Sequence, residues 1–326
     1  MKEKILKALR ECDGYISGQE LCGLLGVSRT AVWKTIHQLT DEGYRIEAVN
    51  RKGYRLVQQP DIITEAEIAS RIPRGCIGSI VCCYDEVAST NDTAKLLAEQ
   101  GAEHGTLVVA DMQSRGKGRR LRPWSSPKGM GIWMSAILRP DIEPRHASMV
   151  TLLAAMAVYD AIRELGISCQ IKWPNDIVID GRKVCGILTE MSAQSDYVNF
   201  IVVGIGINVH NREFPEEIAG VATSLELEGK GRVSVGRSAL IARVMEAFEG
   251  YYEQFLESQN LEFIREAYNK RLVNFGQEIY IVEKERTKSG KCLGIDADGC
   301  LVAIIDQQEE HIMSGEVSVR GVLGYV

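Results

Sequence analysis

Between Lys2 and Leu39 apolar residues return every three or four positions; from Ile80 onward β-branched runs take over. The first spacing belongs to amphipathic helices and the second to strands. Ile5, Leu6 and Leu9 share one face of a helix predicted from Lys2 to Cys12. Ser17, three residues before Glu20, has the arrangement of a capping box and starts a second helix over Gln19–Leu25. The turn Leu24–Ser28 contains Gly26 and leads into a third helix, capped by Ser28 and running through Leu39, with Val32, Ile36 and Leu39 as its buried stripe. After Gly43, Tyr44–Val49 and Tyr54–Val57 read as two strands joined by Asn50-Arg51-Lys52-Gly53. Helices joined by a short Gly-containing turn, followed by a hairpin, make a winged helix-turn-helix.

Gln58-Gln59-Pro60-Asp61 interrupts the pattern as a linker, and Thr64-Glu65-Ala66-Glu67 opens another helix. Strands are then predicted at Ile80–Tyr84, Thr106–Asp111, Gly131–Leu138, Cys169–Trp173, Ile177–Ile179, Val184–Met191 and Tyr197–Val209. Helices are predicted at Asn91–Gln100, Arg145–Leu165 and Ser234–Glu257. This mixed order points to an α+β unit, a sheet with helices on one face, more than to a doubly wound sheet. Beyond Arg271, short strands at Glu278–Glu283, Lys288–Asp296, Cys300–Ile305, His311–Ser314 and near Val317–Leu323 suggest a small all-β barrel. The expected fold is therefore multi-domain α+β, with units at 1–60, 65–270 and 271–326.

Charge divides along the same lines. Residues 1–60 carry ten Lys/Arg against seven Asp/Glu, whereas the remainder carries 28 against 37. A mildly basic head on an acidic body directs any nucleic-acid partner to the head. On its third helix Arg29, Thr30, Trp33, Lys34 and His37 face outward beside Ser28, and Arg51 and Lys52 stand at the wing tip, a mixture suited to bases and phosphates. The alternative is a three-helix module that packs against protein. No apolar run reaches the length of a membrane span, and the first residues lack a signal-peptide core. Nine cysteines without a C-x-x-C, and five scattered histidines, favour reduced thiols in a cytoplasm and no structural metal.

Three segments carry candidate chemistry. Gln113 to Trp124 holds five Lys/Arg within residues 115–122, two glycines among them and no acid. Glycines let a backbone approach a ligand closely and arginines offer forked donors to carboxylate or phosphate, so the loop is a candidate anion clamp. Composition alone allows a solvated surface loop equally well. Lys172-Trp-Pro-Asn-Asp176 ends an apolar strand and presents an amide and a carboxylate; Lys183 then opens the apolar run Val184–Leu188. A lysine there is either a snorkelling surface residue or, partly desolvated, a strong attractor of anions. Gly204-x-Gly206 is no dinucleotide fingerprint, because Val209 stands where a third Gly would fall.

Taken in order, Ser89-Thr90-Asn91, Gln113 with Gly116-Lys-Gly-Arg-Arg120, Lys172-Trp-Pro-Asn-Asp176 with Lys183, and Gly204-Ile-Gly-Ile-Asn208 resemble the bifunctional biotin–protein ligases that double as repressors of biotin synthesis. The resemblance extends over essentially the whole chain and includes a C-terminal SH3-like β-barrel. It implies joining of biotin to ATP as biotinoyl-AMP, with Mg²⁺, and transfer of biotin to a lysine of a carboxylase carrier domain. It further implies binding of operator DNA as a homodimer with the adenylate as corepressor. Ser89, Thr90, Asn91 and Gln113 would then hydrogen-bond biotin, and the backbone at Gly204 and Gly206 would lie against it. Lys117, Gly118 and Arg119 would close over biotin and phosphates, with Arg119 retaining the adenylate and Lys183 touching the carboxylate and α-phosphate. Gly116, Arg120, Arg122, Trp124, Lys172, Asn175, Asn208 and Arg320 would serve ATP or the adenylate, and Asp176 would orient the incoming lysine or the metal. Ser89, Thr90, Gln113, Asn175 and Asn208 each also suit a plain turn or cap.

The chain departs from the family loop Gly-Arg-Gly-Arg-x-Gly-Arg at Lys117 and Leu121. Lysine keeps the charge and loses the fork; Leu121 restricts the backbone after Arg120. Residues 211–225 hold no Trp to cover adenine, only Phe214 as an aromatic. A lipoate ligase and a biotin-sensing repressor without catalysis are the alternative readings.

Overall fold

The computed structural model describes residues 1–230, 236–282, 286–315, 317–321 and 325–326. The head comprises α1 (Lys2–Glu11), α2 (Gly18–Leu25), α3 (Arg29–Asp41) and the antiparallel hairpin β1 (Arg45–Val49) and β2 (Gly53–Gln58). Both halves of the Ser17/Glu20 capping box are formed, and Ser28 accepts from the Ala31 amide. Ile5, Leu6, Leu9, Leu21, Val32, Ile36 and Leu39 are buried together, which leaves the opposite side of α3 in solvent. The third helix runs two residues past its expected end.

A short helix, α4 (Glu65–Ala69), joins head to body, capped by Thr64. Next come β3 (Ile80–Val87), α5 (Thr90–Glu99), β4 (Thr106–Gln113), β5 (Gly131–Leu138), α6 (Met149–Glu164), β6 (Gln170–Lys172), β7 (Asp176–Ile179), β8 (Arg182–Ala193) and β9 (Val198–Asn208). They build a seven-stranded sheet in the order β3-β4-β5-β9-β8-β7-β6, parallel only between β3 and β4. After α7 (Leu225–Gly229), α8 (Arg237–Ser258) packs beside α6 over one face of this sheet and forms the main core. The expected start of α8 at Ser234 lies outside the described residues.

The expectation of helices on one face needs correction. Ala94 and Ala98 of α5 pack on Val108, Ile137 and Val202, which point to the opposite side from Leu107, Val109, Ala136 and Val203. Alternation along each strand makes both faces apolar here, so the second face is part covered by α5 and part open. The open part is where the site lies.

The polar helix α9 (Glu262–Arg271) was not expected, because only Ile264 and Tyr268 mark its buried face. It leads into β10 (Glu278–Val282), β11 (Thr287–Ile295), β12 (Leu301–Ile305), β13 (Gln308–Ile312) and β14 (Ser318–Gly321). They form one antiparallel sheet, β13-β12-β11-β10-β14. Expected strand positions at Glu283, Val322 and Leu323 lie outside the described residues. No helix among the described residues is long and apolar enough to cross a membrane.

Head and body are joined by a buried carboxylate. Glu67 of α4 is 1% exposed and receives Arg10 of α1 at 2.6 Å, Arg71 at 2.7 Å and the Tyr44 hydroxyl. Burial lowers the Arg10 pKa, opposed by Glu67, and raises that of the Tyr44 hydroxyl. Removing one partner of such a cluster strands the others. Glu67→Ala should therefore cost about 3 kcal/mol in urea unfolding and expose the 58–64 linker to limited proteolysis; an unchanged midpoint would show that the cluster holds nothing together.

Candidate active site

Side chains alternate across the sheet, so Trp133, Ser135, Gly186, Leu188, Gly204 and Gly206 share its open face. Gly204 pairs with Ser135 and Leu188, and Gly206 with Trp133 and Gly186. A Cβ at Gly204 would lie 2.0 Å from Asn91 Oδ1, and one at Gly206 2.6 Å from Trp124 Nε1. The glycines thus form a bare floor on which an amide and an indole already rest. Over it lies a cavity of about 260 Å³.

Cations surround that cavity. Lys117, Arg119, Arg120, Arg122, Lys172 and Lys183 line it, with Asp176 as the one carboxylate in the lining among the described residues. Lys183 Nζ lies 2.6 Å from Asp176 Oδ1, in a direction that does not make a good hydrogen bond, and 5.1 Å from the centre of the Trp124 ring. Lys172 is 5% exposed. Burial, helped by Lys183, Arg320 and Arg122 and opposed by Asp176, lowers its pKa to about 8. Burial likewise lowers that of Arg119, again opposed by Asp176.

The loop from Gln113 to Trp124 is held from several sides. Gly116 is buried against it, since a Cβ there would meet the Trp124 carbonyl at 2.4 Å. Lys117 pairs with Asp92 at 2.5 Å. Arg119 donates to Asn175 Oδ1 and to the carbonyls of Ser314 and Gly315. Arg120 and Leu121 both take positive φ, 56° and 57°. A glycine would adopt that conformation freely; Leu121, 88% exposed, does so at a cost of about 1 kcal/mol.

Such a basin suits a ligand with an apolar body and a strongly anionic end. A biotin/lipoate A/B protein ligase family model matches residues 84–208, an HTH domain model 2–55 and a biotin protein ligase C terminal domain model 275–320. The bifunctional ligase/repressor BirA of Bacillus subtilis (strain 168) is 41% identical over 308 residues, 94% of this chain and 94% of its own length. The chain belongs to the bifunctional ligase/repressor family. The Escherichia coli (strain K12) member is 30% identical over 318 residues, 97% of this chain and 96% of its own. A biotin protein ligase from Aquifex aeolicus, solved in complex with biotin and ATP, matches with a TM-score of 0.64 at 30% identity, covering 74% of this chain and 99% of that one.

Within this ligase/repressor frame, Ser89, Thr90, Asn91, Gln113, Lys117, Gly118, Arg119, Arg120, Arg122, Trp124, Lys172, Asn175, Asp176, Lys183, Gly204, Gly206 and Asn208 all line the cavity. Gly116 does not; it shapes the loop. Arg320 also stays out of the lining, on β14 opposite Tyr280, and acts on Lys172 through its charge. Several expected ligand contacts are spent inside the protein. Gln113 accepts from the Thr90 amide and hydroxyl and donates to Ser126. Asn91 accepts from Ser135 and donates to Glu190 and to the Leu188 carbonyl. Asn175 donates to the Ile187 carbonyl, and Asn208 to that of Thr223. The buried Trp124 N–H has no hydrogen-bond partner among the described residues, so a donor faces the floor.

Sequence reasoning missed Ser135 and Glu190, which hold Asn91, Asp92, which holds Lys117, and Tyr325, whose hydroxyl donates to Asp176 Oδ2 at 2.5 Å. Alternation along β5 and β8 could have found the first two. Phe214 lines the cavity, so the aromatic in the 211–225 segment does reach the site.

In the head, Arg29, Thr30, Trp33, Lys34 and His37 are exposed on α3, and Arg51 and Lys52 at the wing tip. Trp33 leans on His37 with ring centres 3.9 Å apart, and Arg29 donates to Gln19 of α2. Ser28 is exposed, but its hydroxyl is occupied as the helix cap.

The low pKa of Lys172 sets a pH dependence. Its charge is present below about pH 8 and lost as pH rises through that value. A bound anion loses one charge-assisted contact over that range, worth roughly tenfold in affinity. By calorimetry, the affinity for MgATP should fall by about that factor between pH 7 and 9 in the wild type, and by much less in Lys172→Gln. The effect on folding has the opposite sign: because the folded-state pKa lies below the unfolded one, the cost of burying the charge is relieved as pH rises. Equal pH profiles for the two proteins would remove Lys172 from anion binding.

Proposed function

We propose that this chain activates biotin as biotinoyl-5′-AMP, transfers it to a lysine of a biotin carboxyl carrier domain, and represses transcription through its head with the adenylate as corepressor. The observation that carries this reading is the glycine-floored cavity bounded by Lys117, Arg119, Lys172 and Lys183. A carboxylate must approach a triphosphate, and cations placed where that charge gathers lower the barrier.

In the first step a carboxylate oxygen of biotin attacks the α-phosphorus and the bond to pyrophosphate breaks. Lys183, beside Asp176, meets the carboxylate and α-phosphate, while Lys172, Arg120 and Arg122 face the phosphates. The ring end of biotin lies on Gly204 and Gly206 between Ser89, Thr90 and Trp124, and Asn208 and Phe214 serve the adenylate. In the second step the carrier lysine nitrogen attacks the biotinoyl carbonyl and AMP leaves, with Asp176 orienting the incoming amine. Magnesium enters this reading with the nucleotide, as the MgATP substrate.

The working units are 1–60, 65–270 and 271–326, in a cytoplasmic protein. Residues Ser28 to His37 of the head and the wing-tip Arg51 and Lys52 meet operator DNA, and adenylate binding favours a two-fold dimer on a pseudo-palindromic site.

With labelled biotin, MgATP and an unmodified carrier domain, intact-mass spectrometry should show label on the carrier lysine, and labelled lipoate in parallel should give none. Lys183→Ala should reduce adenylate formation by at least about a hundredfold while operator binding by the head is retained; equal loss of both would point to misfolding instead. Transfer of lipoate, or of neither acid, would overturn the reading.

Sedimentation velocity checks the repressor half. The dimer fraction should rise when biotin and MgATP are added together, and an unchanged monomer–dimer balance would mean that the adenylate does not drive assembly.

A further inference from the structure

Tyr325 reaches the cavity from beyond β14. Its hydroxyl donates to Asp176 Oδ2 at 2.5 Å, and Asp176 Oδ1 lies 2.6 Å from Lys183 Nζ. The centre of its ring is 3.4 Å from Lys172 Nζ. One side chain therefore touches both ends of the Lys172–Asp176 segment and, through Asp176, reaches Lys183. Val326 anchors it: a Cβ on Gly181 in the β7–β8 turn would lie 3.1 Å from Val326 Cγ2.

We propose that Tyr325 is a positioning residue for adenylate formation, holding the Asp176 carboxylate so that only Oδ1 faces Lys183 and carrying the Lys172 ammonium on its ring. The inference rests on the ligase reading above and adds to it a side chain supplied by the C-terminal unit. A phenol is a neutral donor, so it occupies one carboxylate oxygen without competing for the negative charge. Without it, Asp176 turns to grip Lys183 with both oxygens and draws that ammonium away from the incoming anion. The ring face offers Lys172, which is almost wholly desolvated, a partner that leaves its positive charge uncancelled. Burial, and then Asp176, raises the pKa of the Tyr325 hydroxyl, which keeps it a donor at neutral pH.

The test measures biotin-dependent pyrophosphate release by the full chain. Tyr325→Phe keeps the ring and its packing and removes only the hydroxyl. Its kcat should fall about tenfold, the worth of a hydrogen bond to a charged group, with KM for biotin within about twofold. In an Asp176→Asn background the same change should cost almost nothing, because Tyr325 acts through that carboxylate. Tyr325→Leu, which also removes the ring, should add a rise in KM for MgATP through Lys172. A merely structural role would cost the same in both backgrounds, and that result overturns the proposal, as does a Tyr325→Phe protein with wild-type kcat. A wild-type chain that releases no pyrophosphate with biotin overturns the ligase reading and this inference with it; an active wild type with an unaffected Tyr325→Phe overturns the inference alone.

Discussion

A ligand can lie against a sheet only where the strands leave room, and here Gly186, Gly204 and Gly206 create that room on adjacent strands. The rest of the site is arranged around it. Asn91 fills the space over Gly204, held by Ser135 from the neighbouring strand and by Glu190. Trp124 lies across Gly206 and Gly186 and brings the end of the basic loop down to the floor. A single Cβ at 204 or 206 would displace one or the other, because separations of 2.0 and 2.6 Å are shorter than Cβ atoms tolerate. The face toward α6 and α8 is lined mostly by apolar side chains, with Thr189 hydrogen-bonded to Thr151 of α6 among them.

The same sheet ties catalysis to the head. Arg237, 5% exposed at the start of α8, pairs with Asp61 of the linker at 3.0 Å and with Asp111 of β4 at 2.6 Å. Asp111 stands two residues before Gln113, where the basic loop departs. On the other side His210, two residues past Asn208, bridges Asp61 and Glu226. Burial alone would raise the Asp61 pKa, but hydrogen bonds from His210 and Arg237 hold it below the usual carboxylate range. The linker therefore rests on the strand ends that carry two parts of the site. A shift at either end is felt as an ion pair made or lost, and partly buried pairs of this kind are coupled more strongly than surface ones.

The elements with a strong repeat were legible in the residues themselves: the three helices of the head, the Gly131–Leu138 strand and the long apolar helix before residue 165. Where both faces of a strand are apolar, periodicity cannot say which face a helix will take, and the placement of α5 was missed for that reason. The lining was legible because Lys172, Asp176 and Lys183 sit on three consecutive antiparallel strands, β6, β7 and β8, whose register brings Asp176 opposite both Lys172 and Gly186. What stayed hidden was which atoms remain free. Asn91, Gln113 and Asn175 look like ligand donors in a motif, yet each satisfies a neighbour whose position depends on tertiary folding. Tyr325 lies about 150 residues from Asp176 along the chain, and no local pattern relates the two.

The Lys172–Asp176 segment is also the seam between the catalytic sheet and the C-terminal unit. Trp173 donates to the Gly299 carbonyl at 3.1 Å, Tyr325 donates to Asp176, and Arg119 reaches the carbonyls of Ser314 and Gly315. Arg119 is thereby tethered by neutral acceptors, whereas Lys117 is tethered by a carboxylate at Asp92. Both tethers are charge-assisted, but the Asp92 carboxylate also offsets the charge of Lys117, whereas the carbonyls leave that of Arg119 uncancelled. Next to Arg119, the backbone at Arg120 and Leu121 is held at positive φ. A branched apolar residue at 121 makes that shape costlier than glycine would.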